Sequence, residues 1–233
     1  MTVRDENLLG WPRDEGLLRE QLVEYRALVA HLDAQVGRVL EALANAGMKE
    51  DTLVVFTNDN GGQTLTGANN GPLRGRKGSL LEGGIRVPMC MRWPGKIEAD
   101  TKIDDPVISL DFFPTFVAVG GGEIDPQWAL DGVNLLPRLT GAVTELEQRP
   151  LYWRQGKERA VRIGNHKLHI ADLPGDSERN VFDLGEDIGE ATPLKGSDEQ
   201  VVAALDSALE TFEKAMVLPK WGGRRRARAR KGK

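Results

Sequence analysis

Residues 53–88 read LVVFTNDNGGQTLTGANNGPLRGRKGSLLEGGIRVP, and the fold turns on how this stretch is read. A short apolar run, rich in β-branched residues, stops abruptly in Asn58-Asp59-Asn60-Gly61-Gly62. A run of this length and composition suits a central strand of a parallel sheet covered on both faces. The carboxylate and amide then lie just past the strand's carboxyl end, the edge at which open α/β sheets bind ligands. Both are hard oxygen donors, suited to Ca²⁺ or Mg²⁺ rather than zinc. An Asn-Gly turn alone would account for Asn60 and Gly61 but not for Asp59.

Further on, LRGRKGSLLEGG carries Arg74, Arg76 and Lys77 among glycines 75, 78, 83 and 84. Glycines permit tight turns and close approach of an anion to backbone. The Lys77 ammonium is a compact charge able to cap a phosphate or sulfate oxygen. The loop is not a phosphate-binding P-loop, because Arg76 precedes the lysine where that motif needs glycine. Taken alone, Lys77 also fits a solvated basic loop. Together, a divalent cation and a lysine around one pocket would stabilise charge on a transferring phosphoryl or sulfuryl group. The residues by themselves therefore point to a metal-assisted hydrolase of phosphate or sulfate esters.

Outward from this core, Leu18, Leu22, Tyr25, Val29, Leu32, Val36, Val39 and Leu43 recur in steps of four and three. That spacing predicts one helix face, about 28 residues and ~42 Å long, crossing a large sheet and ending near Gly47. Residues 84–95 read as a second strand ending at Trp93-Pro94-Gly95, and 106–121 as a strand or turn running into a short helix. Strand and helix in alternation imply an α/β core. After Pro150, LYWRQ, RAVRIG, HKLHIAD and RNVFDL are short candidate strands separated by turn residues. A helical stretch follows from Asp198 to Met216, with Val201, Leu205, Leu209 and Phe212 on one face. The expected organisation is an α/β part over 1–146, a small antiparallel sheet packed on a helix over 147–218, and a basic disordered tail over 219–233.

Composition excludes several classes. Cys90 is the one cysteine, so no internal disulfide forms, and its apolar neighbours predict a small buried hydrophobe. No apolar run is long enough to cross a membrane. The last twelve residues hold seven Lys and Arg, leaving residues 1–221 with 24 cations and 35 anions. An acidic body argues against specific nucleic-acid binding by the fold. The chain opens without the apolar region of a signal peptide. Either it stays in the cytoplasm or an exporting segment lies outside it, so the compartment is left open.

The stretches TLVVFTNDNGG and NNGPLRGRKGSLLEGGIRVPMCMRWPG together resemble the core signature of the type I sulfatase family, within the alkaline-phosphatase-like superfamily. The resemblance extends backward through YRALVAHLDAQVGRVLEALANAGMKEDT and forward through LDFFPTFVAVGG, DGVNLLPRLTG, RPLYWRQG, RAVRIGNHKLH and NVFDLGEDIGEAT, covering nearly everything from residue 22 to 215. It implies an alkaline-phosphatase-like, mostly parallel sheet flanked by helices. It implies Asp59 and Asn60 as Ca²⁺ ligands and Lys77 as a catalytic residue contacting the substrate sulfate. Glu82 and Arg86 are expected to be structural and paired. His166 and His169 match a hairpin region, and their odd spacing places them on opposite strand faces, against a joint metal site.

The chain departs from the family pattern in one respect. The family's N-terminal half carries an Asp-Asp calcium pair and a Cys/Ser-x-Pro-x-Arg segment whose first residue becomes the formylglycine nucleophile, and no such segment occurs here. Cys90 is followed by Met91-Arg92-Trp93-Pro94 and does not match it. The chain is thus expected to begin where the family's second half begins, to hold an incomplete Ca²⁺ site and no nucleophile, and to be inactive alone. Its expected partners are a sulfate-ester small molecule or sulfated glycan and a complementary N-terminal half. Phosphonate monoester hydrolases and phosphodiesterases of the same superfamily, or a non-catalytic remnant binding anions or a partner chain, are the alternatives.

Overall fold

A computed structural model describes residues 15–64, 67–173, 176–196 and 199–217. The expected basic tail over 219–233 lies outside the described residues. The first element is α1 (Glu15–Asn45), and β1 (Val54–Thr57), α2 (Glu82–Ile85), β2 (Met89–Arg92), α3 (Phe112–Val119) and α4 (Leu136–Leu139) follow. Then come β3 (Leu151–Gln155), β4 (Glu158–Ile163), β5 (His166–Leu173), β6 (Asp176–Asp183) and α5 (Glu199–Ala215).

The predicted long helix forms, and Gly47 adopts a left-handed φ of 69° just past its end, where glycine is favoured. Its apolar stripe, however, stays open: Tyr25, Val29, Leu32 and Val39 are all exposed. The strand over 52–57 also forms, but it pairs antiparallel with β2, Val54 opposite Arg92 and Thr57 opposite Met89. No parallel pair is present among the described residues. Residues 84–88 are not strand. Gly83 and Gly84 are turned into α2, where the Gly83 amide donates to Arg74 O at 2.6 Å and the Gly84 amide to Leu81 O at 2.8 Å. Cys90 corrects its expectation too. It alternates with Met89 and Met91 along β2, faces the same side as Arg92, and is exposed.

Asp111 organises the segment after β2. Its buried carboxylate accepts from the Ile108 and Val133 amides at 2.9 Å each and pairs with Arg149. Thr115, also buried, donates to Asp111 O and accepts the Leu135 amide. Arg138 and the Leu146 amide grip Asp105 in the same way, at 2.9 and 2.7 Å. Burial works to raise the Asp105 pKa, but these two donors hold it below the ordinary carboxylate value.

The four strands β3–β6 form an antiparallel meander in sequence order. One face carries Val161, Leu168, Ile170 and Val181, which pack with Leu205 and Leu209 of α5 into one apolar cluster. Tyr152 stacks on Phe212 at 4.3 Å between ring centroids. The sheet's other face carries Leu151, Ala160, Lys167, His169 and Phe182, all buried as well. Two covered faces require a second layer, and the glycine-rich segment around α2 supplies it.

Candidate functional site at the tip of the first strand

The strand tip and the basic loop are locked together through backbone. The Gly61 amide donates to Gly84 O at 2.9 Å, and the Lys77 amide donates to Gly62 O at 3.2 Å. Asn70 braces the same junction. Its Oδ1 accepts the Gly62 amide at 2.7 Å, and its Nδ2 donates to Gly62 O and Gly75 O at 3.2 and 3.0 Å. Three chain segments therefore approach too closely for side chains. A Cβ on Gly61 would lie 1.8 Å from Gly83 O, one on Gly83 2.5 Å from Arg74 O, and one on Gly84 2.1 Å from Ser79 O. Of the glycines read as anion-approach positions, Gly83 and Gly84 thus serve first to let backbone stack on backbone.

On this stack, Asp59 is exposed and accepts from Asn60 Nδ2 at 2.5 Å. Lys77 is exposed as well, and among the described residues no ion pair engages its ammonium. The fold brings Lys77 within one backbone hydrogen bond of Gly62, two residues beyond Asn60. The donor chemistry of Asp59 and Asn60 fits a hard cation. Their number fills part of a shell, since Ca²⁺ takes about 6–8 oxygens. Among the described residues, no group of three or more His, Cys, Asp and Glu is arranged to hold a metal ion.

Beneath the loop lies a buried charge cluster that sequence reading missed. Lys167 Nζ is 2.8 Å from both Glu82 Oε1 and Glu190 Oε1. The Glu82 amide donates to Glu190 Oε2 at 2.6 Å, and Arg74 Nη1 donates to Glu190 O at 3.0 Å. The expected Glu82–Arg86 pair is present at 3.3 Å, and Arg162 stands 3.9 Å from the same carboxylate. Burial pushes the Glu190 carboxyl up, against the opposing pull of Lys167, and burial likewise lowers the Arg162 guanidinium. In sequence Lys167 is one of several polar residues of β5, alternating with Leu168 and Ile170, and nothing local marks it as buried.

The two strand histidines separate as expected. His166 is half-exposed, 3.9 Å from Asp183, whereas His169 is buried with Nε2 2.7 Å from Glu158 Oε1. That Glu158 oxygen also accepts the Leu80 amide at 2.9 Å.

Comparison with known proteins agrees with this architecture. The family described as Sulfatase matches residues 3–122, and the one described as N-sulphoglucosamine sulphohydrolase, C-terminal, matches residues 76–215. Human arylsulfatase H is 31% identical over 85% of this chain and 41% of its own length. The crystal structure of Ps i-CgsB in complex with k-i-k-neocarrahexaose superposes with a TM-score of 0.73 at 31% identity, covering 91% of this chain and 46% of that one. BT4656, solved in complex with its substrate D-glucosamine-2-N,6-O-disulfate, shares the fold at a TM-score of 0.62 and 23% identity, over 80% of this chain and 39% of that one. The chain thus has part of the α/β fold of these structures, and spans about two-fifths of the length of the curated relative.

Proposed function

This chain belongs to the sulfatase family, and from that premise we propose that it forms the sulfate-gripping part of an enzyme that hydrolyses sulfate esters with the help of a divalent metal. The observation that carries the reading is the hydrogen bond from the Lys77 amide to Gly62 O, which puts the basic loop beside the strand tip bearing Asp59 and Asn60.

In this reading Asp59 and Asn60 hold Ca²⁺ together with donors from elsewhere in the protein. The ion supplies polarisation of the sulfate oxygens when bound. The Lys77 ammonium, with three donors and no acceptor, grips a sulfate oxygen and offsets negative charge as the ester bond breaks. Its anchored backbone fixes the point from which the side chain reaches, which narrows the positions the charge can take. The nucleophile belongs to none of these residues, and the family resemblance assigns it to a formylglycine in a complementary N-terminal half. Sulfated glycans and small sulfate esters are the proposed substrates. The disulfated glucosamine bound by BT4656 supports the glycan class.

The test supplies the chain with a nucleophile-bearing N-terminal half, matured to formylglycine, and measures hydrolysis of an aryl sulfate and an aryl phosphodiester. Calcium-dependent sulfate-ester turnover is expected, falling about 100-fold or more in K77A, with none above background from the 233-residue chain alone. Robust turnover by the isolated chain would overturn the reading. Faster cleavage of the phosphodiester would assign the site to the phosphodiesterase branch instead.

A further inference from the structure

We propose that Glu158 is a positioning residue for Lys77, tying the lysine's loop to the C-terminal sheet. The inference rests on the reading of Lys77 as the sulfate contact. Lys77 and Gly78 form an exposed apex held at two ends. On one side the Lys77 amide is bonded to Gly62 O at 3.2 Å. On the other, three residues along, the Leu80 amide is bonded to Glu158 Oε1 at 2.9 Å, and the Leu80 side chain is buried. Between them, the Ser79 amide donates to Arg76 O and Ser79 Oγ accepts the Arg76 amide, closing a tight turn. Gly78 has a φ of 89°, a conformation that side chains resist.

Glu158 is itself held. It opens β4 opposite Gln155, across a hairpin whose Gly156 is left-handed at φ 60°. The same oxygen that grips Leu80 takes His169 Nε2 at 2.7 Å, and His169 is buried on β5. A Cβ at Gly78 would stand 4.0 Å from Gln155 Nε2, so the hairpin flanks the lysine apex. The carboxylate thus carries the rigidity of the four-stranded sheet to a loop whose working group is a flexible ammonium. An ammonium on a four-carbon stem gains precision only if its backbone origin is fixed.

Two measurements on the 233-residue chain test this. In the first, inorganic sulfate is titrated while trace acetic anhydride labels lysines, and mass spectrometry compares Lys77 with the exposed Lys96 and Lys214. Sulfate is expected to protect Lys77 selectively. The half-protecting concentration should rise ~10-fold in E158A, and only ~2–3-fold in E158Q, which retains an oxygen for the Leu80 amide. In the second, trypsin cleavage after Lys77 should accelerate in E158A, less so in E158Q, with cleavage after Lys96 unchanged. Unchanged protection and cleavage in E158A would overturn the proposal. So would equal acceleration at Lys77 and Lys96, which signals general loosening. Where E158A does not fold, the graded response of E158Q decides alone. If sulfate fails to protect Lys77 even in the parent chain, the sulfate-contact reading falls, and cleavage after Lys77 still decides whether Glu158 holds the loop.

Discussion

Lys167 Nζ lies 2.8 Å from Glu82 Oε1 although 85 residues separate them in the chain. Both side chains are buried, and Glu190 completes the cluster from a third segment. The contact joins the C-terminal sheet to the glycine-rich turn on which the strand tip rests. Removing ions from water costs several kcal/mol each, and the cost is recovered only when every charge is met. A cluster of this kind therefore holds its members in one arrangement, and the sheet serves as the floor of the candidate site.

Removing the central cation should be severe. K167A leaves two buried carboxylates facing each other, and a loss of ~3–5 kcal/mol in unfolding free energy is expected. Urea unfolding of the two chains measures it. Should K167A fail to fold, E190Q, which leaves Glu82 as a partner for Lys167, is expected to fold with a smaller loss. A change below ~0.5 kcal/mol in K167A, the range of ordinary surface substitutions, would mean that water already reaches the cluster.

Two glycine substitutions should move stability in opposite directions. A Cβ on Gly61 would meet Gly83 O at 1.8 Å, a backbone atom that cannot step aside without opening the stack beneath Asp59 and Lys77. G61A is expected to abolish the folded state or cost more than ~3 kcal/mol, the scale of a strained, overpacked core site. Gly37 lies on the exposed side of α1 with nothing within 4 Å of its Cβ position. G37A should stabilise by ~0.5–1 kcal/mol through helix propensity. Thermal denaturation of both variants is the check, and equal effects would show that the close approach is absent in solution.

The Asp105 grip predicts an acid-sensitive component of stability. Its carboxyl is held below the ordinary value of 3.8 by the Leu146 amide and Arg138, with burial opposing them. A folded pKa below the unfolded one means that the unfolded chain takes up the proton first as pH falls. The contribution is complete above 3.8 and is lost as pH drops through the folded value. Urea midpoints taken at pH 7, 5, 4 and 3 should therefore fall more steeply below pH 4 in the parent chain than in D105N. D105N should already be weaker at neutral pH, where it lacks the charged acceptor. Parallel acid slopes in the two chains would remove Asp105 from the account.

Much of this architecture was readable from residue spacing, and the unread part has a physical reason. The steps of four and three in α1 and the turn-punctuated strands of the C-terminal sheet are local patterns, and both form where periodicity placed them. Periodicity says which residues share a face, not what covers that face. Hence the stripe of α1 was legible and its exposure was not, and Cys90 looked buried by its neighbours yet lies on the uncovered side of β2. The antiparallel pairing of β1 with β2 depends on how 57–89 folds back, which an apolar run does not encode. The Lys167 cluster and the Glu158 link to Leu80 are contacts between distant segments, and no spacing rule announces them. Asp59, Asn60 and Lys77 stood out because their residue types interrupt a strand and a glycine loop, and their role as one oxyanion site rests on the proposal above.

The exposed apolar residues lead to the last prediction. Val23, Leu28 and Leu32 on α1 are 67, 68 and 53% exposed, and Leu110, Phe113 and Phe116 near α3 are 52, 52 and 46% exposed. Scattered single exposures are ordinary, but so many large side chains on elements with an apolar face mark surfaces that gain from being covered. At ~25 cal/mol per Å² of apolar area, covering even a few hundred Å² is worth several kcal/mol. The isolated chain should therefore self-associate as concentration rises. Sedimentation velocity should show a shift to larger species that L28E/L32E on α1 reduces, without loss of helical circular dichroism. A complementary N-terminal half that covers these faces should suppress the same self-association when added in equimolar amount. A chain that stays monomeric at high concentration while exposing these residues would mean that the faces are already satisfied, and the need for a covering partner would fall with it.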